Sequence, residues 1–214
     1  MKFAAVVVSC RERAELRAQT LASLAATDWD GSVDVVIDDE TETQPLRRID
    51  ATWLRALQRA SDERAADLVL LCEDDVAFNH HLRHNLERWS VLQGKRASDP
   101  FWGSLYNPRH PDFARCLVPP PRTDYHVVRV DGVWGGQGIV ISPSLAGWII
   151  NHAPGPLAPH DRIVRWLASD MCPALFLHRP SLVEHRGHLS STWGGTHHQA
   201  IDFDPDWRAG GSDR

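Results

Sequence analysis

The feature that most restricts the fold of this sequence is a pair of apolar runs without alternation. Residues 3 to 8 read FAAVVV, and residues 67 to 71 read DLVLL. A strand with one face in solvent alternates apolar and polar residues, so continuous runs indicate strands that helices cover on both faces of a parallel sheet. With 43% hydrophobic residues, the 214-residue chain can fill a core of this kind.

Segments with helical spacing alternate with these strands. Apolar and small residues recur at helical spacing from Ala14 to Ala26 and from about Arg48 to Ala60, and VDVVID, residues 33 to 38, is a strand pattern between them. The order β-α-β-α-β predicts an α/β fold. We therefore expect a Rossmann-like, three-layer sandwich with a mostly parallel central sheet.

Ionisable residues follow each predicted strand. The first strand leads into SCRER at residues 9 to 13, the second into DDE at residues 38 to 40, and the third into EDD at residues 73 to 75. Ligands bind beyond the carboxyl ends of the strands in such sheets. These groups are therefore expected to line one site at a single edge.

The three consecutive acids suit a divalent cation. Alternate residues of an extended segment point to the same side, so Glu73 and Asp75 can face one site while Asp74 faces the other way. Carboxylate oxygens of this kind bind Mg²⁺ or Mn²⁺, which also contact substrate phosphates. The alternative is a solvated strand end, although the apolar residues on both sides of the triplet argue against a plain exposed loop.

Several segments of the chain resemble GT-A glycosyltransferases. LVLLCEDDVAF, residues 68 to 78, resembles the acidic motif of that family, which is often written DxD or EDD. Residues 6 to 24 are similar to the opening strand, loop and helix, and residues 51 to 75 to the helix and strand before the acidic motif. GGQGIVISPSLAGWI, from residue 135, resembles a glycine segment beside the acceptor, and RPSLVEHRGHLSSTWGG, from residue 179, resembles a closing segment. The resemblance implies a GT-A-like fold.

The resemblance also implies a divalent cofactor, Mn²⁺ or Mg²⁺, and a role for each acid. Asp75 would be the principal metal ligand, Glu73 would lie near the ribose or a metal-bound water, and Asp74 would support them. One histidine of the closing segment would complete the metal coordination, and His185 fits the family pattern better than His188. Several histidines cluster late in the sequence: His178, His185, His188, His197 and His198. Zinc binding by these late histidines is an alternative, although no thiolate pairs accompany them.

Residues after the first two strands are expected to contact the sugar nucleotide. In the family, the loop after the first strand receives the nucleotide base, which implies that Ser9 belongs to the site. Arg11 and Arg13 of the same loop can pair with a diphosphate, or they can be solvated residues at a helix start. Asp38 and Asp39 end the second strand at the same edge.

The second half of the chain supplies candidates for the acceptor side. Gly135 and Gly136 permit a positive φ and a close approach of backbone to ligand; the alternative is a hairpin that needs glycine for its geometry alone. Asp161 begins the helical pattern DRIVRWLAS. A carboxylate there caps the helix, or it accepts the proton of an acceptor hydroxyl as a general base. Inverting GT-A enzymes resemble the second arrangement, and a retaining reaction stays open if Asp161 is only a cap.

The acids at the strand ends and the family resemblance together predict a metal-dependent glycosyltransferase that moves a sugar from a nucleotide-sugar donor to an acceptor hydroxyl. The resemblance favours a UDP-sugar, the common donor of the family. Residues 1 to 205 are expected to form one catalytic domain, with a nucleotide-sugar half up to about residue 93 and an acceptor half from about residue 94. Residues 206 to 214 are predicted to be a disordered tail. A saccharide or glycan is the favoured acceptor, and a hydroxylated nucleic-acid base would require arginines gathered into a patch.

Other functions for the acidic triplet would require further sequence features. A metal-dependent nucleotidyltransferase also places acids at strand ends, but it would normally have a glycine-rich loop where this chain has SCRERAE. A hydrolase using the late histidines would need ligands from several strand ends. A non-catalytic sugar-nucleotide-binding protein could keep the fold and would tolerate replacement of Asp75.

Composition narrows the remaining classes. The net charge of −5 gives no basic field, which disfavours nucleic acid as a partner. The four cysteines include no CxxC pair and are interpreted as reduced, intracellular thiols. No run approaches the roughly 20 apolar residues that span a bilayer. We therefore expect a cytoplasmic protein without a membrane span.

Overall fold

The fold is described by a computed structural model for residues 1–38, 45–110, 113–119, 122–129, 135–153, 167–186 and 199–210. The strands are β1 (Phe3–Ser9), β2 (Ser32–Ile37), β3 (Leu68–Glu73), β4 (Val76–Phe78), β5 (Trp102–Ser104), β6 (Leu117–Val118), β7 (Tyr125–Val128), β8 (Ile139–Ile141), β9 (Leu175–His178) and β10 (Val183–His185). The helices include α1 (Ala14–Ala25), α2 (Pro45–Asp62), α3 (Leu82–Arg88), α4 (Phe113–Cys116) and α5 (Pro143–His152), with 3-10 turns at Arg11–Arg13 and Ser90–Leu92.

Eight of these strands form one sheet in the order β2-β1-β3-β8-β5-β9-β7-β6. β1 pairs in parallel with both β2 and β3, as the β-α-β-α-β pattern predicts. Beyond β3 the sheet is mixed, because β8 runs antiparallel to β3 and β5 while β5 runs parallel to β9. The α/β class is thus confirmed, with parallel pairs in the N-terminal part of the sheet and again between β5 and β9.

Helices cover both faces of the central strands. Every residue of β1 is buried, and successive side chains point to opposite faces. Val6 belongs to the core formed with α2 and α5, whereas Val7 belongs to the core that includes Leu24 of α1 and Leu86 of α3. Burial of one such side chain contributes about 1.5–3 kcal/mol, which explains the continuous apolar run. Among the described residues, no helix combines the length and apolar character needed to cross a membrane.

Residues 94 to 125, which are rich in proline and show little periodicity in the sequence, contain a central strand of the sheet. β5 lies between β8 and β9, and all three of its residues are buried. A Cβ atom at Gly103 would lie 2.5 Å from the ring of Trp89, so only glycine lets that ring pack on the strand. Three residues around a glycine carry too little periodicity to be recognised as a strand.

The sequence predicts a disordered tail for residues 206 to 214, and the structure differs from this for residues 206–210. Residues 206–210 pack on the body of the protein, while the last four residues lie outside the described part. The side-chain amide of Asn79 donates to the carbonyl oxygen of Trp207 at 2.9 Å, and the backbone N–H of Ala209 donates to Oδ1 of Asn85 at 2.8 Å. Both asparagines are fully buried, so this polar segment satisfies groups that the core cannot.

A buried histidine makes the stability of this core dependent on pH. His178 is 1% exposed, its ring centroid lies 5.1 Å from that of Trp89 and 5.7 Å from that of Trp207, and Nδ1 lies 2.6 Å from the carbonyl oxygen of Pro180. Burial lowers the pKa of His178 to about 4, despite that hydrogen bond. Protonation of the ring is therefore unfavourable in the folded state.

We expect the free energy of unfolding to fall as the pH drops from about 6.5, the pKa of an unfolded histidine, to about 4. The loss from His178 is at most about 3 kcal/mol, because protonation is easier in the unfolded chain. His178→Asn retains a donor for the carbonyl but cannot titrate, so urea unfolding should show a weaker dependence on pH. His152→Asn, at the exposed end of α5, is the control and should behave as wild type. Equal pH dependence in wild type and His178→Asn would contradict this assignment.

Candidate active site

The acidic triplet lies at the end of β3 and in the turn that follows it. Glu73 is the last residue of β3, and Asp74 and Asp75 form the turn into β4. Asp74 is 1% and Asp75 2% exposed, because the chain re-enters the apolar core directly at Val76. The two aspartates therefore lie beyond the strand, as the sequence predicts, but inside the protein, where each carboxylate needs partners.

Asp74 faces the end of β1. The hydroxyl of Ser9 donates to Oδ2 of Asp74 at 2.6 Å, and Nη1 of Arg13 lies 3.0 Å from Oδ1. Burial raises the pKa of Asp74 to about 6, although Ser9 and Arg13 oppose that shift. Asp74 thus ties the first strand and its loop to the acidic turn.

Asp75 faces a histidine and the same arginine. Nε2 of His185 lies 3.1 Å from Oδ2 of Asp75, and Arg13 donates to the same oxygen. Burial acts to raise the pKa of Asp75, but the contacts with His185 and Arg13 outweigh it and lower the pKa to about 2. The carboxylate is consequently ionised across the physiological range of pH.

The pairing of two short strands brings His185 to the acids. β10 lies antiparallel to β4 with His185 opposite Val76, and the backbone N–H of Arg186 donates to the carbonyl oxygen of Asp75 at 2.7 Å. The histidine is 5% exposed. Burial acts to lower its pKa, but Asp75 reverses the effect and the pKa is raised. A residue more than a hundred positions away in sequence is therefore held beside the carboxylate by backbone pairing.

Glu73, Asp75 and His185 form a cluster with the chemistry of a metal site. One donor atom from each lies within 4.8 Å of the others. Oδ1 of Asp75 is buried and has no hydrogen-bond partner among the described residues, which is costly unless a ligand contacts it. Two carboxylates and one imidazole fit a first-row divalent cation such as Mn²⁺. The described residues thus fit the cation that the resemblance implies.

The glycine segment lies against Glu73. Gly135 has a φ of 85°, which few residues other than glycine adopt. A Cβ atom at Gly136 would lie 2.4 Å from the ring of Trp53 and 3.0 Å from Oε1 of Glu73. The amide of Gln137 makes a long contact of 3.5 Å with Oε2 of Glu73. Backbone and side chain of this segment therefore form one wall around the carboxylate.

Two arginines at the strand ends were missed in the sequence. Arg17 donates through Nη1 to Oγ of Ser9 at 2.9 Å, and Arg48 donates through Nε to Oδ2 of Asp38 at 2.6 Å. Asp38 is 7% exposed and directly follows β2. The sequence signal for both residues was an arginine in the first turns of a helix that follows a strand. Such a helix begins at the carboxyl edge of the sheet, where the site lies.

The structure describes only some of the remaining candidate residues. Arg11 is exposed in the same 3-10 turn as Arg13. Asp39, Asp161 and His188 lie outside the described residues. Tyr106, which the sequence did not single out, is buried, and its pKa is raised by burial and by neighbouring carboxylates that include Glu73 and Asp75.

Comparison with known proteins identifies the fold. No protein-family model and no curated protein matches the sequence. S. aureus TarS matches in structure with 17% identity and a TM-score of 0.56, and the match covers 83% of this chain. TarS 1-349 in complex with UDP-GlcNAc gives 15% identity and a TM-score of 0.52 over 83% of this chain. A197 from STIV gives 14% identity and a TM-score of 0.51, covering 86% of this chain and 85% of its own.

The strand order and these similarities define a GT-A-like α/β fold, as the acidic motif and its flanking segments predicted. The chain spans 35% of the first TarS structure and 56% of the second. A shared fold at this level of identity does not fix an activity, so the function must be argued from the site.

Replacement of Gly136 with alanine should lower the free energy of unfolding by about 1–3 kcal/mol, because the added methyl group would overlap the buried ring of Trp53. Urea unfolding measures the loss. Gly147→Ala is the matched control, since a Cβ there would lie 2.8 Å from Oγ of Ser61, the end of a small side chain that can rotate away, and alanine favours helix α5. That variant should be neutral or more stable. Equal losses in the two variants would contradict the packing described for Gly136.

Proposed function

We propose that the protein is a metal-dependent glycosyltransferase that moves a sugar from a nucleoside diphosphate sugar, with a UDP-sugar favoured, to an acceptor hydroxyl. The convergence of Glu73, Asp75 and His185 at the carboxyl end of β3 carries the proposal. This is the edge at which α/β sheets bind ligands. TarS, whose fold is similar, has been crystallised with UDP-GlcNAc, which supports the choice of donor.

The acids and the histidine would hold the divalent cation, Mn²⁺ or Mg²⁺. Asp75 and His185 would be its principal ligands, and Glu73 would contact the cation, a coordinated water or the ribose. A cation held there would supply Lewis-acid chemistry, neutralising negative charge on the departing diphosphate. Asp74, which is engaged by Ser9 and Arg13, would orient the loop rather than bind the ion.

The basic and polar groups at the ends of β1 and β2 would bind the nucleotide. Arg13 and Arg11 carry the positive charge that a diphosphate requires, and a guanidinium can contact two phosphate oxygens at once. Ser9 and the Asp38–Arg48 ion pair lie at the same edge, beside the expected position of the base and ribose. Asp39, the next residue in the sequence, is proposed to contact the nucleotide as well. Gly135 and Gly136 would border the sugar.

The reaction would be an in-line displacement at the anomeric carbon. The acceptor oxygen forms a bond to that carbon while the bond from carbon to the diphosphate oxygen breaks, and the nucleoside diphosphate leaves. Asp161 would take the acceptor proton as a general base, and the anomeric configuration would be inverted. NMR of the product decides this step, because a retained configuration would rule out Asp161 in that role.

A saccharide or glycan is the proposed acceptor. The negative net charge gives no support to a nucleic-acid acceptor. The nucleotidyltransferase alternative lacks its glycine-rich loop in the segment after β1. The non-catalytic alternative is separated by experiment, since it tolerates the loss of Asp75.

Thermal unfolding with UDP-, GDP-, dTDP- and CMP-sugars tests the proposed donor site. One sugar nucleotide at about 100 times its Kd should add about 2.7 kcal/mol, a rise of roughly 5–10 °C in melting temperature, and only when Mn²⁺ is present. Asp75→Asn should abolish this rise. It should also abolish transfer, measured as nucleoside diphosphate release with acceptor.

Asp67→Asn is the matched control for that experiment. Asp67 precedes the opposite end of β3, where its carboxylate accepts from the backbone nitrogen of Lys2 at 2.8 Å. That variant should keep the donor-dependent and metal-dependent rise. The proposal fails if no sugar nucleotide stabilises the wild-type protein, or if Asp75→Asn, shown to be folded by circular dichroism, responds as wild type does.

A further inference from the structure

The positively charged side chain of Arg13 contacts both aspartates of the acidic turn. Its Nη1 lies 3.0 Å from Oδ1 of Asp74, and its Nη2 donates to Oδ2 of Asp75. The two carboxylates are almost completely buried, whereas the arginine side chain is 20% exposed. A single guanidinium thus neutralises both acids from the solvent side of the turn.

This arrangement conflicts with a cation bound at the same carboxylate. Oδ2 of Asp75 already contacts both Arg13 and Nε2 of His185, and only Oδ1 lacks a partner among the described residues. A divalent ion shared by Glu73, Asp75 and His185 would place two further positive charges close to the guanidinium. Like charges at such a distance repel strongly in a partly buried site. The ion and Arg13 therefore compete for Asp75.

We propose that Arg13 is an internal counter-cation that occupies Asp75 in the donor-free protein and moves to the diphosphate when metal and donor bind. This inference rests on the proposed function. It makes binding of metal and donor cooperative, because the donor supplies a new partner for Arg13 and so frees Asp75 for the ion. The arginine would thereby disfavour metal binding in the absence of donor.

The surroundings of Arg13 permit its side chain to move while the loop stays in place. Arg17 holds that loop by donating to Oγ of Ser9 at 2.9 Å and to the carbonyl oxygen of Cys10 at 3.0 Å. Arg13 ends the 3-10 turn just before α1, and its side chain is 20% exposed, more than either acid that it contacts. A guanidinium exchanges readily between carboxylate and phosphate oxygens, because both accept its paired N–H groups.

Removal of Arg13 should therefore alter metal binding in two ways. Without donor, Arg13→Gln should bind Mn²⁺ about ten-fold more tightly than wild type, because no guanidinium has to be displaced from Asp75. With UDP present, the difference should largely disappear. The factor by which UDP strengthens Mn²⁺ binding should thus be about ten-fold smaller in the variant, and by linkage the effect of Mn²⁺ on UDP affinity falls equally.

The experiment is a Mn²⁺ titration of the full chain followed by electron paramagnetic resonance of the free ion, with and without UDP. Arg59→Gln is the matched control, since it removes a guanidinium paired with Asp34, an exposed carboxylate of β2 away from the acidic turn. It should leave donor-free Mn²⁺ affinity close to wild type. Arg13→Lys provides a second variant that keeps the charge but cannot contact two carboxylates in the same fork geometry, and its Mn²⁺ affinity should lie between those of wild type and Arg13→Gln.

Each outcome has a defined meaning. Tighter donor-free Mn²⁺ binding in Arg13→Gln, with Arg59→Gln unchanged, supports the inference. Equal or weaker binding in both Arg13→Gln and Arg13→Lys overturns it, and the proposed function stands if Asp75→Asn still abolishes Mn²⁺ binding. If Mn²⁺ binding survives Asp75→Asn, the metal site itself is misplaced and both proposals fail.

Discussion

The buried, ionised carboxylate of Asp75 is the interaction on which the rest of the site depends. Burying a carboxylate away from solvent costs several kcal/mol unless charges and hydrogen bonds compensate it. Water does not provide this compensation at Asp75, because the residue is buried and β4 follows it directly. His185 and Arg13 provide the compensation. The pairing of β10 with β4 and the turn after β1 are therefore both coupled to one side chain.

The same requirement connects stability to the proposed chemistry. Groups that compensate a buried carboxylate are cations or N–H donors, and these are also the groups that bind a diphosphate. Asp75 retains one oxygen without a partner among the described residues, beside Glu73 and the glycine segment. An arrangement that satisfied every oxygen with protein groups would be more stable, but it would leave no ligand atom for a metal ion.

Much of the N-terminal half could be predicted from the sequence, because β1, α1, β3 and the acidic turn carry strong local patterns. The central strand β5 could not, since three residues around Gly103 have no measurable period. The packing of residues 206–210 escaped prediction for a different reason: buried amides at Asn79 and Asn85 determine it from a distance of more than a hundred residues. His185 could be named from family resemblance, but its contact with Asp75 depends on strand pairing that no local pattern encodes.

The most direct test of the central claim is anomalous diffraction from crystals grown with Mn²⁺ and UDP. We expect one manganese peak within coordination distance of an Asp75 carboxylate oxygen and Nε2 of His185, together with bound UDP. A bound nucleotide with no manganese at these residues, or a manganese peak at other residues, would contradict it.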